Sequence, residues 1–408
     1  MPNKSVVIIG AGQCGLCMSH ALSSRAIDHV VIERGDIGQN WRSDRWDSLR
    51  MLTPNWANML PGMNHPDPHG YMTPCEFTAQ LECFANQSGG EIQKNTTVQR
   101  IARKGAGFVT ESDRGVWESQ AVVLATGAAS RPILPKLAQA IPAHIKQITP
   151  DQYRGPTDVP SGHVLVVGAS ATGVQLAREL QLAGRQVILS TGSHVRLPRR
   201  YRGKDIEHWL HVTGVLDQPT GEIINLLRAM QLPSPQLMGG SHDVDLNALQ
   251  ALGVSVVGRL AAIRDGIALF SGGLNHLAAS ADLKMHRLFD LADQWIAENG
   301  IDVPEPNRPA NTTLPSNPTL SLRLDSEDVQ SVIWATGFAP DFSMLDIPAF
   351  DARGRLKHYG GVCDIPGLYV LGLPFLRRRR SHHISGAAAD AEDLAAHLSG
   401  RLNDRTAA

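Results

Sequence analysis

The stretch Val6-Val7-Ile8-Ile9-Gly10-Ala11-Gly12-Gln13-Cys14-Gly15 decides the fold, because it recurs as Val164-Leu165-Val166-Val167-Gly168-Ala169-Ser170-Ala171-Thr172-Gly173. Each copy opens with a short unbroken apolar run. Such a run reads as a strand buried on both faces, which a parallel sheet requires. Each run ends in a glycine loop and passes into a helical pattern, Leu16 to Ser23 in the first copy and Val174 to Leu182 in the second. In Gly-x-Gly-x-x-Gly the first glycine makes a tight turn and the second lets backbone N–H groups approach a pyrophosphate. The third lets helix and strand pack closely. Gly10, Gly12 and Gly15 fill all three places.

The two copies differ where nucleotide preference is set. Glu33 ends the next apolar run, Val30-Val31-Ile32, at the place where an acid about 20 residues on accepts a ribose hydrogen bond. The second loop carries Ser170 in the middle place, and Ser190 or Thr191 stands where the acid would be. Arg196, Arg199, Arg200, Arg202 and Lys204 come next. A carboxylate would repel a 2′-phosphate, whereas a hydroxyl with nearby arginines holds one, so NADPH is favoured over NADH at this loop.

The repeat continues beyond the loops. Each copy reaches a strand ending in Ala-Thr-Gly, Val122 to Gly127 in the first and Val332 to Gly337 in the second. A hairpin-like stretch, Phe108 to Gln120, precedes the first. In the second copy Asp265-Gly266 makes a two-residue hairpin turn. The second copy also holds an amphipathic helix over 280–298, with Leu283, Leu288, Leu291, Trp295 and Ile296 near one face, and then a long proline-rich loop. A third apolar run, Leu368 to Leu371, precedes a last helix from about Ala387 to Leu398. The expected class is α/β: two Rossmann-like dinucleotide-binding domains, each a parallel sheet plus a β-meander, with the second inserted into the first. The expected bounds are 1–156 and 338–408 for the first domain and 157–337 for the second, with extra helical and loop material over 205–325.

Composition is that of an ordinary globular protein: 408 residues, 42% hydrophobic, 19% charged and a formal net charge of −1. That balance offers no general attraction to nucleic acid or to an anionic membrane. Five cysteines at irregular spacing argue against a disulfide framework. No signal peptide or membrane-length apolar run is visible, so the expectation is a cytoplasmic location. No metal-binding pattern is found, and the apolar helix is the candidate surface for a homodimer.

With these motifs in place the chain resembles the flavin-containing monooxygenase family, the class of single-component FAD- and NADPH-dependent monooxygenases. The closest likeness is to bacterial members grouped with cation-export-associated flavoproteins. The resemblance spans nearly the whole chain. It rests on the first loop and Glu33-Arg34, Gly38-Gln39-Asn40-Trp41-Arg42, Asp47 to Pro54, Ala125-Thr126-Gly127, the second loop, Pro198 to Gly203, Ala335-Thr336-Gly337 and Leu373 to Ser381. It implies an FAD site at Gly10, Gly12, Gly15, Glu33, Arg34, Gln39, Trp41, Arg42, Thr53, Ala125, Thr126 and Gly127. It implies an NADPH site at Gly168, Ser170, Thr172, Gly173, Ser190, Arg196, Arg199, Ala335, Thr336 and Gly337. The implied reaction passes one oxygen from a C4a-(hydro)peroxyflavin to a small organic substrate, with O2 as co-substrate. N-oxygenation stands slightly ahead of S-oxygenation or carbonyl insertion. Two positions depart from the family pattern: Ile148 stands where its fingerprint has histidine, and Leu52 where it has an active-site asparagine. They motivate the rival reading, an NAD(P)H oxidase or electron-transfer reductase without oxygenation.

Candidates for the flavin pocket are Asn55, Trp56, Asn58, His382 and His383. The last two precede the last helix, whose N-terminus would favour a reduced flavin anion. They equally read as polar loop histidines. Arg377 to Arg380 read either as steering groups for an anion or as a solvated loop. Cys14 and Cys17 read as small buried hydrophobes rather than a redox pair.

Overall fold

The computed structural model describes residues 3–324 and 328–406. Residues 1, 2, 325–327, 407 and 408 of the expected domains lie outside the described residues. The first sheet places five strands in parallel, in the order Leu368–Val370, Gly115–Leu124, Asn3–Ile9, His29–Ile32 and Glu91–Gln93. The apolar run Val6 to Ile8 is wholly buried at the centre of this sheet, with neighbouring strands at both edges and the helix Gln13–Ser23 packed against it. Val98–Lys104 and Gly107–Ser112 form an antiparallel meander with the long strand Gly115–Leu124. The helix Gln13–Ser23 packs against the last helix, Ile384–Thr406, which runs well past the expected span on both sides.

The second sheet repeats this plan with the strands Ser255–Val257, Gln186–Ser190, His163–Val167, Val329–Trp334 and Lys146–Ile148, all parallel. Its meander is Leu260–Arg264, Ile267–Phe270 and Ser321–Arg323. The turn at Asp265-Gly266 has both residues at positive φ, 49° and 71°, as a two-residue hairpin of type I′ demands. Lys146–Ile148 lies ahead of residue 157, so the second sheet takes its edge strand from chain before that bound. The two crossings between domains run side by side, Arg131–Pro132 paired antiparallel with Phe338–Ala339.

The inserted material forms its own small core. The helix Leu274–Asn299 buries Met285, Phe289, Ala292 and Ile296 against Tyr201, Ile206 and Trp209. Of the face expected for that helix, Ile296 is buried and Leu288 and Trp295 pack partly buried on this core, whereas Leu283 is 52% exposed and Leu291 37%, so the buried stripe is shifted to run through Met285 and Phe289. Tyr201 stacks on Phe289 with ring centroids 4.2 Å apart, and that contact fixes the rotation. Residues 302–320 carry no helix or strand. Among the described residues no helix is long and apolar enough to cross a membrane.

Candidate functional site: two dinucleotide cradles

The first glycine loop builds a cradle at the carboxyl edge of its sheet. Gly10 adopts φ +107°, and a Cβ there would lie 2.6 Å from the Ala125 carbonyl oxygen. Gly15 is tighter still, since a Cβ would lie 1.8 Å from the Gly10 carbonyl oxygen. Gly12 caps the helix, and a Cβ there would meet nothing within 4 Å. The open side of Gly12 faces a cavity of about 710 Å³, a size typical of nucleotide and cofactor pockets. Glu33 fixes the loop from the next strand: one carboxylate oxygen accepts from Ala11 N at 2.8 Å and the other from Gly35 N at 3.0 Å.

Of the expected first-site residues, Gly10, Gly12, Glu33, Arg34, Gln39, Trp41, Ala125, Thr126 and Gly127 line this cavity. Gly15 stands behind it as the packing glycine. Arg42 points away, paired with Glu82 at 2.5 Å, and Thr53 is bonded to Asn58 at 2.6 Å. Sequence reasoning missed Arg45, Asp341 and Gly372, which also line the cavity. Arg45 lies over the Trp41 ring, 5.1 Å from its centroid, so two guanidinium groups, Arg34 and Arg45, serve one wall. Gly372 was signalled by the third apolar run, which ends there. A Cβ on it would lie 2.7 Å from the Cys14 sulfur. Cys14 and Cys17 are free and buried, and burial pushes the Cys14 thiol up to about 12.

The second loop matches the first closely. Ser170 caps its helix at φ −83°, ψ −175°, against −83°, −174° for Gly12. Gly168 has φ +110°, and a Cβ on Gly173 would lie 1.8 Å from the Gly168 carbonyl oxygen, the same contact as between Gly15 and Gly10. Ala335 packs beneath both glycines, while the Thr336 hydroxyl donates to the Ile133 carbonyl at 2.5 Å and Gly337 accepts from Ile133 N at 2.9 Å. Ser190 is committed to its own domain, donating to the Gly258 carbonyl at 3.1 Å and accepting from Leu260 N at 2.9 Å.

Thr191 Oγ1, His194 Nε2 and Gln236 Oε1, all buried, have no hydrogen-bond partner among the described residues. Gln236 is tied to the loop itself, its amide donating to the Ala169 carbonyl at 2.9 Å. Orphaned polar atoms beside a helix N-terminus fit a dinucleotide that would satisfy them. FAD thus suits the first cradle, with its anchored acid, and NADPH the second, which lacks one. The phosphate-binding arginines need a correction. Arg196 is buried between Asp245 at 2.6 Å and Asp282 at 2.7 Å. Arg199 is buried against Asp205 at 2.6 Å and the Leu52 carbonyl at 2.7 Å. The terminal nitrogens of both guanidinium groups are thus committed within the protein, although Arg199 Nε has no partner among the described residues. Arg259, by contrast, is exposed and runs beside Gly192, within 3.9 Å of where a Cβ there would sit.

The candidates for the flavin pocket separate into two groups. Asn55 and Asn58 are buried and fully engaged. Asn55 donates to the Asp67 carbonyl and accepts from Met72 N, and Asn58 bonds Thr53 twice. Trp56 meets His211 of the inserted domain edge-on at 5.6 Å. His382 lines the cavity, and His383 stands behind it with ring centroids 4.5 Å apart. Burial, with help from His382 and Arg380, pushes His383 down to about 3, so that ring is neutral at working pH. The arginines at 377–380 neither steer nor dangle in water, since each has a partner. Ile148 is buried at the end of an edge strand whose other two residues are exposed, so that position is core in this chain. Among the described residues no cluster of side chains could hold a metal.

Residues 7–211 match the family described as pyridine nucleotide-disulphide oxidoreductase. An uncharacterized CzcO-like oxidoreductase of Geobacillus kaustophilus is 31% identical over 95% of this chain and 96% of its own length. A probable indole-3-pyruvate monooxygenase of Arabidopsis thaliana is 30% identical over 48% of this chain and 49% of its own. The flavin-containing monooxygenase of Stenotrophomonas maltophilia superposes over 98% of this chain and 99% of that one, with TM-score 0.68 and 17% identity. OTEMO, in complex with FAD and NADP, superposes over 99% of this chain and 87% of that one, with TM-score 0.58 and 16% identity. The chain belongs to the pyridine nucleotide-disulphide oxidoreductase family. Within it, this is an oxidoreductase built on the two-domain fold that the flavin monooxygenases share.

Proposed function

We propose that the protein is an FAD- and NADPH-dependent monooxygenase that inserts one oxygen atom of O2 into a small organic substrate. The observation that carries this reading is the pair of matching cradles, each at the edge of its own parallel sheet, on a fold shared end to end with a flavin monooxygenase. A bound flavin supplies hydride acceptance from NADPH and activation of O2; the protein supplies orientation and exclusion of water. Gly12 and the helix behind it take the FAD pyrophosphate, with Arg34 and Arg45 on the same wall. Ser170 takes the NADPH pyrophosphate, and Arg259 is the cation placed for the 2′-phosphate. His382 is the imidazole in the cavity wall; burial pushes it down to about 4, so it stands neutral at working pH with one N–H to donate. The substrate is a soft nucleophile, an amine or a thioether, or else an electrophilic carbonyl, with the amine placed slightly ahead of the other two; that preference rests on the sequence resemblance alone.

The test is turnover under ¹⁸O2 with NADPH and a tertiary amine, a thioether and a cyclic ketone in turn. One ¹⁸O in a product is expected. NADPH consumption matched mole for mole by H2O2, with unlabelled substrates throughout, would assign the rival oxidase or reductase activity instead. Arg259→Ala should raise KM for NADPH about tenfold or more, as loss of a charge-assisted phosphate contact does, and leave KM for NADH unchanged. An equal rise for both coenzymes would remove Arg259 from that role.

A further inference from the structure

The four consecutive arginines are divided between two bodies. Arg377 and Arg378 face the last helix: Arg377 pairs with Asp393 at 3.1 Å, and Arg378 with Asp390 at 3.0 Å and Asp393 at 2.6 Å. Arg379 and Arg380 face the inserted domain. Arg379 donates to the Gln218 side-chain oxygen at 2.8 Å, and Arg380 pairs with Asp217 at 2.6 Å. The backbones join as well. Arg379 N donates to the Gln218 carbonyl at 3.1 Å, Arg380 N to the Leu216 carbonyl at 3.0 Å, and Thr220 N to the Arg377 carbonyl at 2.9 Å. The Thr220 hydroxyl completes the clasp, donating to the Phe375 carbonyl at 2.8 Å. Residues 216–220 thus lie along 375–380 like a short added strand.

From this clasp the chain runs directly into the cavity wall. The buried Ser381 hydroxyl accepts from the backbone N of Arg377 and of Arg378, both at 3.0 Å, and His383 N donates to the Arg380 carbonyl at 2.8 Å. Gly386 closes the turn so tightly that a Cβ would lie 2.0 Å from the Arg380 carbonyl oxygen. His382, two residues beyond Arg380, therefore has its backbone position set from both sides. The last helix fixes one side and a segment of the coenzyme domain the other.

We propose that Asp217, Gln218 and Thr220 are positioning residues for His382. By clasping the arginine run they hold that imidazole in the cavity wall and couple the inserted domain to the flavin-facing loop. The proposal rests on the reading that this cavity holds FAD. No side chain of the clasp lines the cavity, so its effect there is transmitted through the backbone of 379–383.

The test uses the purified full-length holoprotein and the variant D217A/Q218A/T220V. FAD content and Tm report whether it folds; if it does not, D217N carries the same measurements with one half-exposed side chain changed. Amide hydrogen exchange over 379–383 should quicken at least tenfold. The FAD midpoint potential should move to the value that H382N produces alone, and H382N added to the clasp variant should move it no further. Unchanged exchange, an H382N potential equal to the parent's, or clasp and H382N shifts that add in full would each overturn the proposal. A protein that purifies without FAD and fails to take it up would instead overturn the flavin reading of the cavity. The exchange rates over 379–383 would still decide whether the clasp exists.

Discussion

At the scale of single residues, Gly12 and Ser170 show how close the two cradles are and where they differ. Their backbone angles agree within a degree, and neither needs glycine for its φ. The space beside Gly12 is free of protein, so what a side chain there would displace is ligand. Gly12→Ser should therefore fold with an unchanged Tm and lose FAD affinity by about tenfold or more, measured by flavin fluorescence titration. Gly15→Ala should do the reverse of a ligand effect, costing about 1–3 kcal/mol of stability by overpacking against the Gly10 carbonyl. These roles were legible because the whole cradle is local in sequence. The arginines were not: the partners that neutralise Arg196 and Arg199 lie at Asp245, Asp282 and Leu52, brought together only by the fold. Glu207 was equally invisible. It is 4% exposed, and burial, reinforced by Asp205, pushes it up to about 7 against the pull of Arg199 and Arg380. The native state thus keeps a proton that the unfolded chain gives up above its ordinary value of 4.5, so stability falls as pH rises from there to about 7. Glu207→Gln should stabilise the protein by up to about 3 kcal/mol at pH 8 and by much less at pH 5, read by urea unfolding. An equal gain at both pH values would show that the carboxyl is not protonated on folding.

At the scale of elements, periodicity gave existence and only part of the phase, placing Leu288, Trp295 and Ile296 on the packed side but Leu283 and Leu291 with them. The long inserted helix was expected from its apolar spacing, yet Leu283 and Leu291 face water while Met285, Phe289, Ala292 and Ile296 face the core. A helix with apolar residues on more than one side can be turned either way, and the choice here is made by Tyr201 and Trp209, far earlier in the chain. Phe289→Ala should cost about 3–5 kcal/mol, the usual figure for emptying a buried aromatic site, and Leu283→Glu less than about 0.5 kcal/mol. Comparable losses at both positions would mean that the helix is packed in the phase first read from its sequence. The strands were easier, because residues such as Val7, Leu165 and Ile333 are buried on both faces and leave no phase to choose.

At the scale of the whole molecule, the repeat made two domains legible but said nothing of how they are joined. The seam is polar and buried. Arg199 has a side chain only 2% exposed, bonds Asp205 of the inserted helix cap and the Leu52 carbonyl of the flavin domain, and lies 5.2 Å from the centroid of the Tyr71 ring. Tyr71 in turn donates to Asp205, so one carboxylate ties both bodies. Glu179 does the same elsewhere, accepting from Ser48 at 2.7 Å and from Tyr153 at 2.9 Å. Removing one member of a buried pair strands the other, at a cost of about 3–5 kcal/mol. Because this pair spans the seam, the loss should fall on the coupling between domains rather than on either core. Arg199→Met should turn a single calorimetric unfolding transition into two, with the inserted domain melting first. Adding Asp205→Asn removes the stranded charge while keeping a side chain able to cap the helix at Glu207 N. That double variant should recover much of the lost Tm. It should also keep the two transitions apart, since no group then replaces the bridge from Asp205 through Arg199 to Leu52. A single transition in Arg199→Met, lowered as a whole, would place the cost in the cores and leave the domains joined by other contacts.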